Sequence, residues 1–275
     1  MKTLIIVSVL FLKCILQASA AFALATEVIE QPHIKVRLIS EHGVLSKGVD
    51  TYLGLELVPE AGWHVYWRNP GDSGMPPKIR FTAIDGVDVG EPLWPVPHKI
   101  PFGPMTNYGY EKVVLPIPIS ISTTQQSALI KLDAKASWLV CKDLCVPGQA
   151  RLQLNVPLKP VAEISFEAKA IEQARKTVPK TMALLGGTAV AGENDNIEIQ
   201  LFSEKPVFRT ASTIEFFPVN EQLVDANATA EINWKQNVVN IKQLKSSDFF
   251  KIPETIAGVL VVDDQYYWEF EFAVE

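Results

Sequence analysis

Two cysteines, Cys141 and Cys145, stand four residues apart in the stretch Trp138-Leu139-Val140-Cys141-Lys142-Asp143-Leu144-Cys145-Val146-Pro147-Gly148. A disulfide needs Cα atoms roughly 4.4–6.8 Å apart, a spacing that one helical turn or a tight hairpin loop supplies. Three chemistries fit such a pair: a redox couple, a structural staple, or part of a metal site. As a staple the pair is weak, because stabilisation grows with the length of the loop closed. As a redox couple it is well built, since exchange needs an accessible sulfur and a second one nearby to resolve the mixed disulfide. Lys142 favours a thiolate and Asp143 opposes it, so the flanking charges leave the thiol pKa undecided. A structural zinc wants about four ligands, and His33, His42, His64 and His98 are scattered without ligand spacing. The residues alone leave the three readings open, with ring size favouring exchange.

Two other stretches carry the remaining chemistry. Trp63-His64-Val65-Tyr66-Trp67 is aromatic enough for a strand. Strand alternation then puts His64 and Tyr66 on the face opposite Trp63, Val65 and Trp67. One of those faces is a candidate to look out on the cysteines, the other to be core. Asn69-Pro70-Gly71-Asp72-Ser73-Gly74 follows and reads as a long turn. Between Glu91 and Tyr110 five prolines alternate with Trp94, Phe102, Tyr108 and Tyr110, which reads as a Pro-stiffened loop, functional or simply packed. No G-x-S-x-G, H-E-x-x-H, P-loop or dinucleotide fingerprint is present. No metal site and no cofactor is expected. Asn227-Ala228-Thr229 is a formal glycosylation sequon, a pattern common by chance.

The elements that must position these residues read as strands. His33–Ile39 and Thr51–Leu57 alternate with period two, Val113–Ile119 carries prolines that mark a sheet edge, and Leu129–Ala136 and Ala150–Val156 flank the cysteines. Short strands at this spacing favour a β-sandwich. Residues 161–176 are rich in Ala, Glu and Lys, put Ile164, Ala168 and Ile171 on one stripe, and stop at Pro179: a helical connector. After it come strands at Ile197–Phe202, Thr213–Val219, Glu231–Trp234, Val238–Ile241 and Ala257–Val262, with a hairpin into Tyr266–Val274. The expectation is an all-β chain of two β-sandwich domains, 26–158 and 181–275, joined by a short helical connector at 159–180.

Composition sets the compartment. Lys2, an apolar run from Leu4 to Leu16 and Ala18-Ser19-Ala20 form a secretory signal over residues 1–25, with Ala23-Leu24-Ala25 a second cleavage site. The run is too short to span a membrane. Cys14 lies within it, after Lys13 where a lipoprotein signal wants a small residue, and is expected to be removed. Without the signal, 23 basic residues face 31 acidic ones, a formal charge of −8 instead of −6. That balance, with no basic stripe, speaks against nucleic acid. An exported, oxidising setting makes a Cys141–Cys145 disulfide the default state.

These residues also resemble a family. Gly62-Trp63-His64-Val65-Tyr66-Trp67-Arg68-Asn69-Pro70-Gly71-Asp72-Ser73-Gly74-Met75-Pro76-Pro77, with Trp138 through Gly148, is similar to the periplasmic N-terminal region of DsbD/ScsB-type thiol:disulfide interchange proteins. Ile214-Glu215-Phe216-Phe217-Pro218, with Leu223-Val224-Asp225, resembles the second part of the ScsB branch. The resemblance implies immunoglobulin-like sandwiches and a periplasmic location. It implies a cysteine pair that passes reducing equivalents to thioredoxin-fold partners. By position it makes Cys145 the cysteine of the mixed disulfide and Cys141 the resolving one. Phe102 then matches an aromatic cap, and His64 and Tyr66 match tyrosine positions beside the pair. The best-known branch has a longer cysteine spacing, and acidic residues where Ile100 and Pro101 stand here. Full-length members add a membrane conduit and a thioredoxin domain, so the expected electron donor is a separately encoded membrane protein. The competing expectation is a non-catalytic periplasmic interaction module with a structural disulfide.

Overall fold

The structure is a computed structural model that describes residues 24–204 and 213–274. The signal-sequence reading, with Cys14, falls on residues before 24 and so lies almost wholly outside the described residues. Among the described residues, no helix is long and apolar enough to cross a membrane.

The chain is nearly all β-strand, with one α-helix among the described residues. Alternation builds the first layer. Ile34–Ser40, Thr51–Pro59 and Val113–Ile121 form the centre of a five-stranded sheet, with Ile29–Gln31 at one edge and Val87–Val89 at the other. Their inward residues, among them Leu38, Leu53, Leu55, Leu57, Leu115 and Ile117, are buried in one apolar core. The strand Val113–Ile121 runs antiparallel to Thr51–Pro59. Pro116 and Pro118 tolerate this because their carbonyls face the other way, accepting from the Leu93 and Gly90 amides. A proline there costs the main ladder no hydrogen bond.

The opposite layer is dominated by one long hairpin, Leu129–Cys141 and Cys145–Pro157, with Lys78–Phe81 added at its side. Ile130, Leu132, Ala134, Ala136, Trp138 and Val140 point into the core, as do Leu152, Leu154 and Val156 of the returning strand. Both strands run further than their alternating patterns indicated, so the cysteines close the hairpin tip instead of sitting in a separate loop.

Two readings from sequence are corrected here. Asn69-Pro70-Gly71 is not a turn but the end of a strand, Val65–Gly71. The proline-rich segment is not all loop: His98–Phe102 and Met105–Tyr110 pair as a hairpin, which in turn pairs with Val65–Gly71. Prolines concealed the first of these strands, because Pro101 removes a donor that the pattern needs.

The helix Ala168–Lys176 starts later than residues 161–176 suggested, and Ile164 lies exposed in a short strand, not on the helical stripe. Only Ile171 of that stripe is buried, against Ile39 and Val114 on the outer face of the five-stranded sheet. Arg37 adds a bridge from the sheet, bonding Glu56 and, at 3.0 and 3.1 Å, both carboxylate oxygens of Glu167 just before the helix.

Beyond the helix, two four-stranded sheets enclose a second core of Ile197, Ile199, Leu201, Phe216, Leu260 and Phe270, among others. Leu184–Ala191 is a strand that its glycines hid. The inner edge of this part meets the first core through Phe217, Ala226, Val259 and Val261.

Candidate functional site

Cys141 and Cys145 are the closing cross-strand pair of the long hairpin, with Lys142, Asp143 and Leu144 as the turn. Cys141 gives its own backbone N–H and C=O to His64, at 3.0 and 2.9 Å, instead of to the strand opposite. It is therefore a non-hydrogen-bonded pair, the type in which facing side chains come closest. The Cα atoms are 4.2 Å apart and the two sulfurs are bonded to one another. By strand alternation the pair stands on the face of the hairpin opposite Val140, away from the sandwich core.

The two sulfurs have unequal surroundings. Cys141 is fully buried, at 0% exposure, and its backbone bridges to that of His64. Cys145 is exposed, beside Leu144 at 58% exposure. The Tyr66 hydroxyl lies 3.5 Å from Cys145 Sγ. A disulfide sulfur carries no proton, so the hydroxyl is the donor.

His64 and Tyr66 reach the pair because the alternation holds. Val65 and Trp67 sink into the core, while His64 and Tyr66 face the cysteines, ring to ring at 5.1 Å. Both are nearly inaccessible. Burial pushes the Tyr66 phenol up to about 12. Burial also holds the His64 imidazole below its usual range, with Glu111 pulling weakly the other way. Tyr66 is thus a protonated donor and His64 a neutral ring at neutral pH. Phe102, at the end of the proline-rich hairpin, lies edge-on to His64 at 6.2 Å. All five residues singled out in the sequence therefore converge on one corner. Phe102 joins it through His64.

The structure adds residues that sequence reasoning missed. Asn107 is wholly buried and its Nδ2 donates to His64 Nε2 at 3.5 Å. The Ser73 hydroxyl donates to Asn107 Oδ1 at 3.0 Å, which fixes the amide's orientation. The Asp72 carboxylate accepts from the Thr106 backbone at 2.8 Å. Gly74, at φ +106°, lies flat on the Tyr66 ring, and a Cβ there would come within 2.1 Å of it. Gly148 plays the same part for Trp138, whose indole covers it from the facing strand. The signal for Asp72, Ser73 and Gly74 was present in the polar run after Pro70. What Asp72 and Ser73 bond to lies 34 residues away, on a hairpin that prolines concealed.

Among the described residues, no group of three or more His, Cys, Asp or Glu is arranged to hold a metal ion. The chemistry on offer is sulfur exchange: an accessible sulfur with a hydroxyl donor, and a buried sulfur in bonding reach behind it.

Comparison with known proteins agrees with that chemistry. Residues 36–157 match the family described as thiol:disulfide interchange protein DsbD, N-terminal. Among solved structures, the chain is similar to the N-terminal periplasmic domain of ScsB from Proteus mirabilis. The TM-score is 0.65 at 18% identity, over 92% of this chain and 99% of that one, a likeness of fold. The Pseudomonas aeruginosa CupB2 chaperone also matches, at 8% identity over 86% of this chain and 100% of that one, but its TM-score of 0.18 carries no argument. No curated protein matches the sequence.

Proposed function

We propose, on the match of residues 36–157 to the DsbD N-terminal family, that this chain is an exported, periplasmic thiol:disulfide interchange protein that passes reducing equivalents through Cys141 and Cys145 to thioredoxin-fold partners. The observation that carries the reading is the asymmetry of the pair: Cys145 exposed with a hydroxyl on its sulfur, Cys141 buried behind it. Exchange needs that division of labour.

In the reduced form, the Cys145 thiolate attacks a sulfur of the partner's disulfide. A Cys145–partner bond forms, and the partner's second sulfur leaves as a thiolate and takes a proton. Cys141, deprotonated, then attacks Cys145 Sγ. The Cys141–Cys145 bond forms, the mixed disulfide breaks, and the partner departs as a dithiol. Two electrons and two protons have moved to the partner. The hairpin keeps the second step short, because the Cα atoms are held at 4.2 Å in the closed pair. Tyr66 serves whenever Cys145 is a thiolate, because a hydrogen bond to the charged form favours that form.

On this reading residues 26–158 are an immunoglobulin-like redox domain, 159–180 the helical connector and 181–275 a second β-sandwich. The pair is recharged by a membrane-embedded electron donor. Equilibration with glutathione buffers tests the proposal. A potential below about −300 mV would mark a structural disulfide that resists reduction and would sink it.

A further inference from the structure

The segment that carries Tyr66 does not run straight. Val65 and Tyr66 pair with Tyr110 and Gly109 of the proline-rich hairpin, but the next pairing is Gly71 with Asn107. Five steps along one strand thus match two along the other. Trp67, Arg68, Asn69 and Pro70 stand opposite Tyr108 alone, a bulge with three surplus residues that begins at the residue after Tyr66. A bulge redirects side chains at its border and leaves its own backbone without ladder partners.

The C-terminal half of the chain holds this bulge through its side chains. Asn69 is buried at 3% exposure, and its Nδ2 donates to the backbone carbonyls of Pro218 and Asn220, at 2.8 and 3.2 Å. Its Oδ1 accepts the Gly71 amide at 3.0 Å, which closes the bulge on itself. Arg68 pairs with Glu269 at 2.7 Å. Trp67 packs edge-on to Phe217 at 6.2 Å, both rings fully buried. Three consecutive residues are thus each anchored across to residues beyond 215. The sequence Trp67-Arg68-Asn69-Pro70-Gly71-Asp72 has no direct contact with the sulfurs, and this anchoring is what it accounts for.

We propose that Asn69 is a positioning residue for exchange at Cys145: by tying the bulge to the Pro218 and Asn220 carbonyls it sets where the Tyr66 hydroxyl meets the sulfur. The C-terminal half is then part of the redox site without touching it. This rests on the exchange reading, but its geometry is tested separately.

The experiment uses the full chain with Cys141→Ser, which leaves Cys145 as a free thiol, and follows its alkylation by iodoacetamide against pH. The rate reports the thiolate fraction, and Lys142 and Asp143 on the turn are common to all variants. Tyr66→Phe sets the scale. Asn69→Ala is expected to shift the profile to higher pH and slow alkylation at pH 7 about three- to tenfold, the size of one lost hydrogen bond to a charged group. Combined with Tyr66→Phe it should add little, because both act on one contact. Glu269→Gln, which loosens the same bulge from the far side, is expected to shift the profile the same way by less. Should Asn69→Ala fail to fold, Glu269→Gln carries the test alone. A profile that stays in place in the folded variants overturns the proposal. So does full additivity with Tyr66→Phe. Glutathione equilibration judges the exchange reading independently, since alkylation needs no redox partner.

Discussion

The hydroxyl of Tyr66 lies 3.5 Å from the sulfur of Cys145, although the two residues are 79 positions apart. The contact joins the only exposed sulfur of the pair to a buried ring that cannot ionise near neutral pH, since burial raises its phenol to about 12. Tyr66 is therefore a fixed donor. A donor aimed at sulfur does little for the disulfide and more for a thiolate, because bonds to charged partners are about twice as strong as neutral ones.

Tyr66→Phe removes that donor and leaves the ring. Cys145 in a Cys141→Ser background should then show a higher thiol pKa and slower alkylation at pH 7, by about three- to tenfold. Thermal unfolding should move little, because only one partly exposed contact is lost. An unchanged alkylation profile would mean that the hydroxyl has no part in exchange.

His64 gives a pH dependence of stability with a definite sign. Its folded-state pKa is lowered from 6.5 by burial, against a smaller pull from Glu111. Tyr66 stays neutral beside it, Phe102 is apolar, and Asn107 donates to Nε2, all of which favour the neutral ring. Above about pH 6.5 both folded and unfolded chains keep this histidine neutral, so its contribution is fully present. As pH falls below that, the unfolded chain binds the proton first and stability drops, until the folded value is passed. Denaturant unfolding at pH 7 and pH 5 should therefore show a loss that is smaller in His64→Gln. Equal losses in the two proteins would remove His64 from the account.

How far the sequence foretold this corner follows from what each residue bonds to. Period two sufficed for His64 and Tyr66, because which face they take is decided by Val65 and Trp67 seeking the core. For the cysteines, ring size favoured exchange but left a staple and a metal site open, and the attacking and resolving roles came only with the family resemblance. Asn69, Asn107 and Ser73 were not legible, since their partners are an imidazole, an amide and backbone carbonyls 34 to 151 residues away. No local pattern encodes such a bond. The hairpin bearing Phe102 was obscured by Pro101, and the helix onset was misplaced because Ala, Glu and Lys continue upstream of Ala168 whatever the backbone does.

Gly74 is the narrowest point of the site. Any side chain there must adopt φ +106° and place a Cβ 2.1 Å from the Tyr66 ring. The ring is fully buried and has no free direction to retreat. Gly74→Ala should cost about 2–5 kcal/mol, from overpacking and backbone strain together. Chemical denaturation measures this. The same variant in the Cys141→Ser background should reproduce the slower alkylation of Tyr66→Phe. A stable Gly74→Ala protein with unaltered alkylation would show that the ring's position is not held from this side.

The two cysteines should not be interchangeable in trapping. With Cys141→Ser, the exposed Cys145 can attack a partner disulfide, and nothing remains to resolve the adduct. With Cys145→Ser, the remaining sulfur is at 0% exposure behind His64, bridged to it through the backbone. A thioredoxin-fold partner cannot bring its disulfide into line with that atom unless the hairpin tip opens. Incubation of each variant with an oxidised thioredoxin-fold protein, followed by quenching and non-reducing electrophoresis, should give a mixed disulfide with Cys141→Ser. Cys145→Ser should give at least about tenfold less, the penalty of a roughly 1.4 kcal/mol local opening being the smallest that would hide the site. The double serine variant should give none. Equal capture by the two single variants would show that the burial of Cys141 does not survive in solution, and the assignment of attacking and resolving sulfur would fall with it.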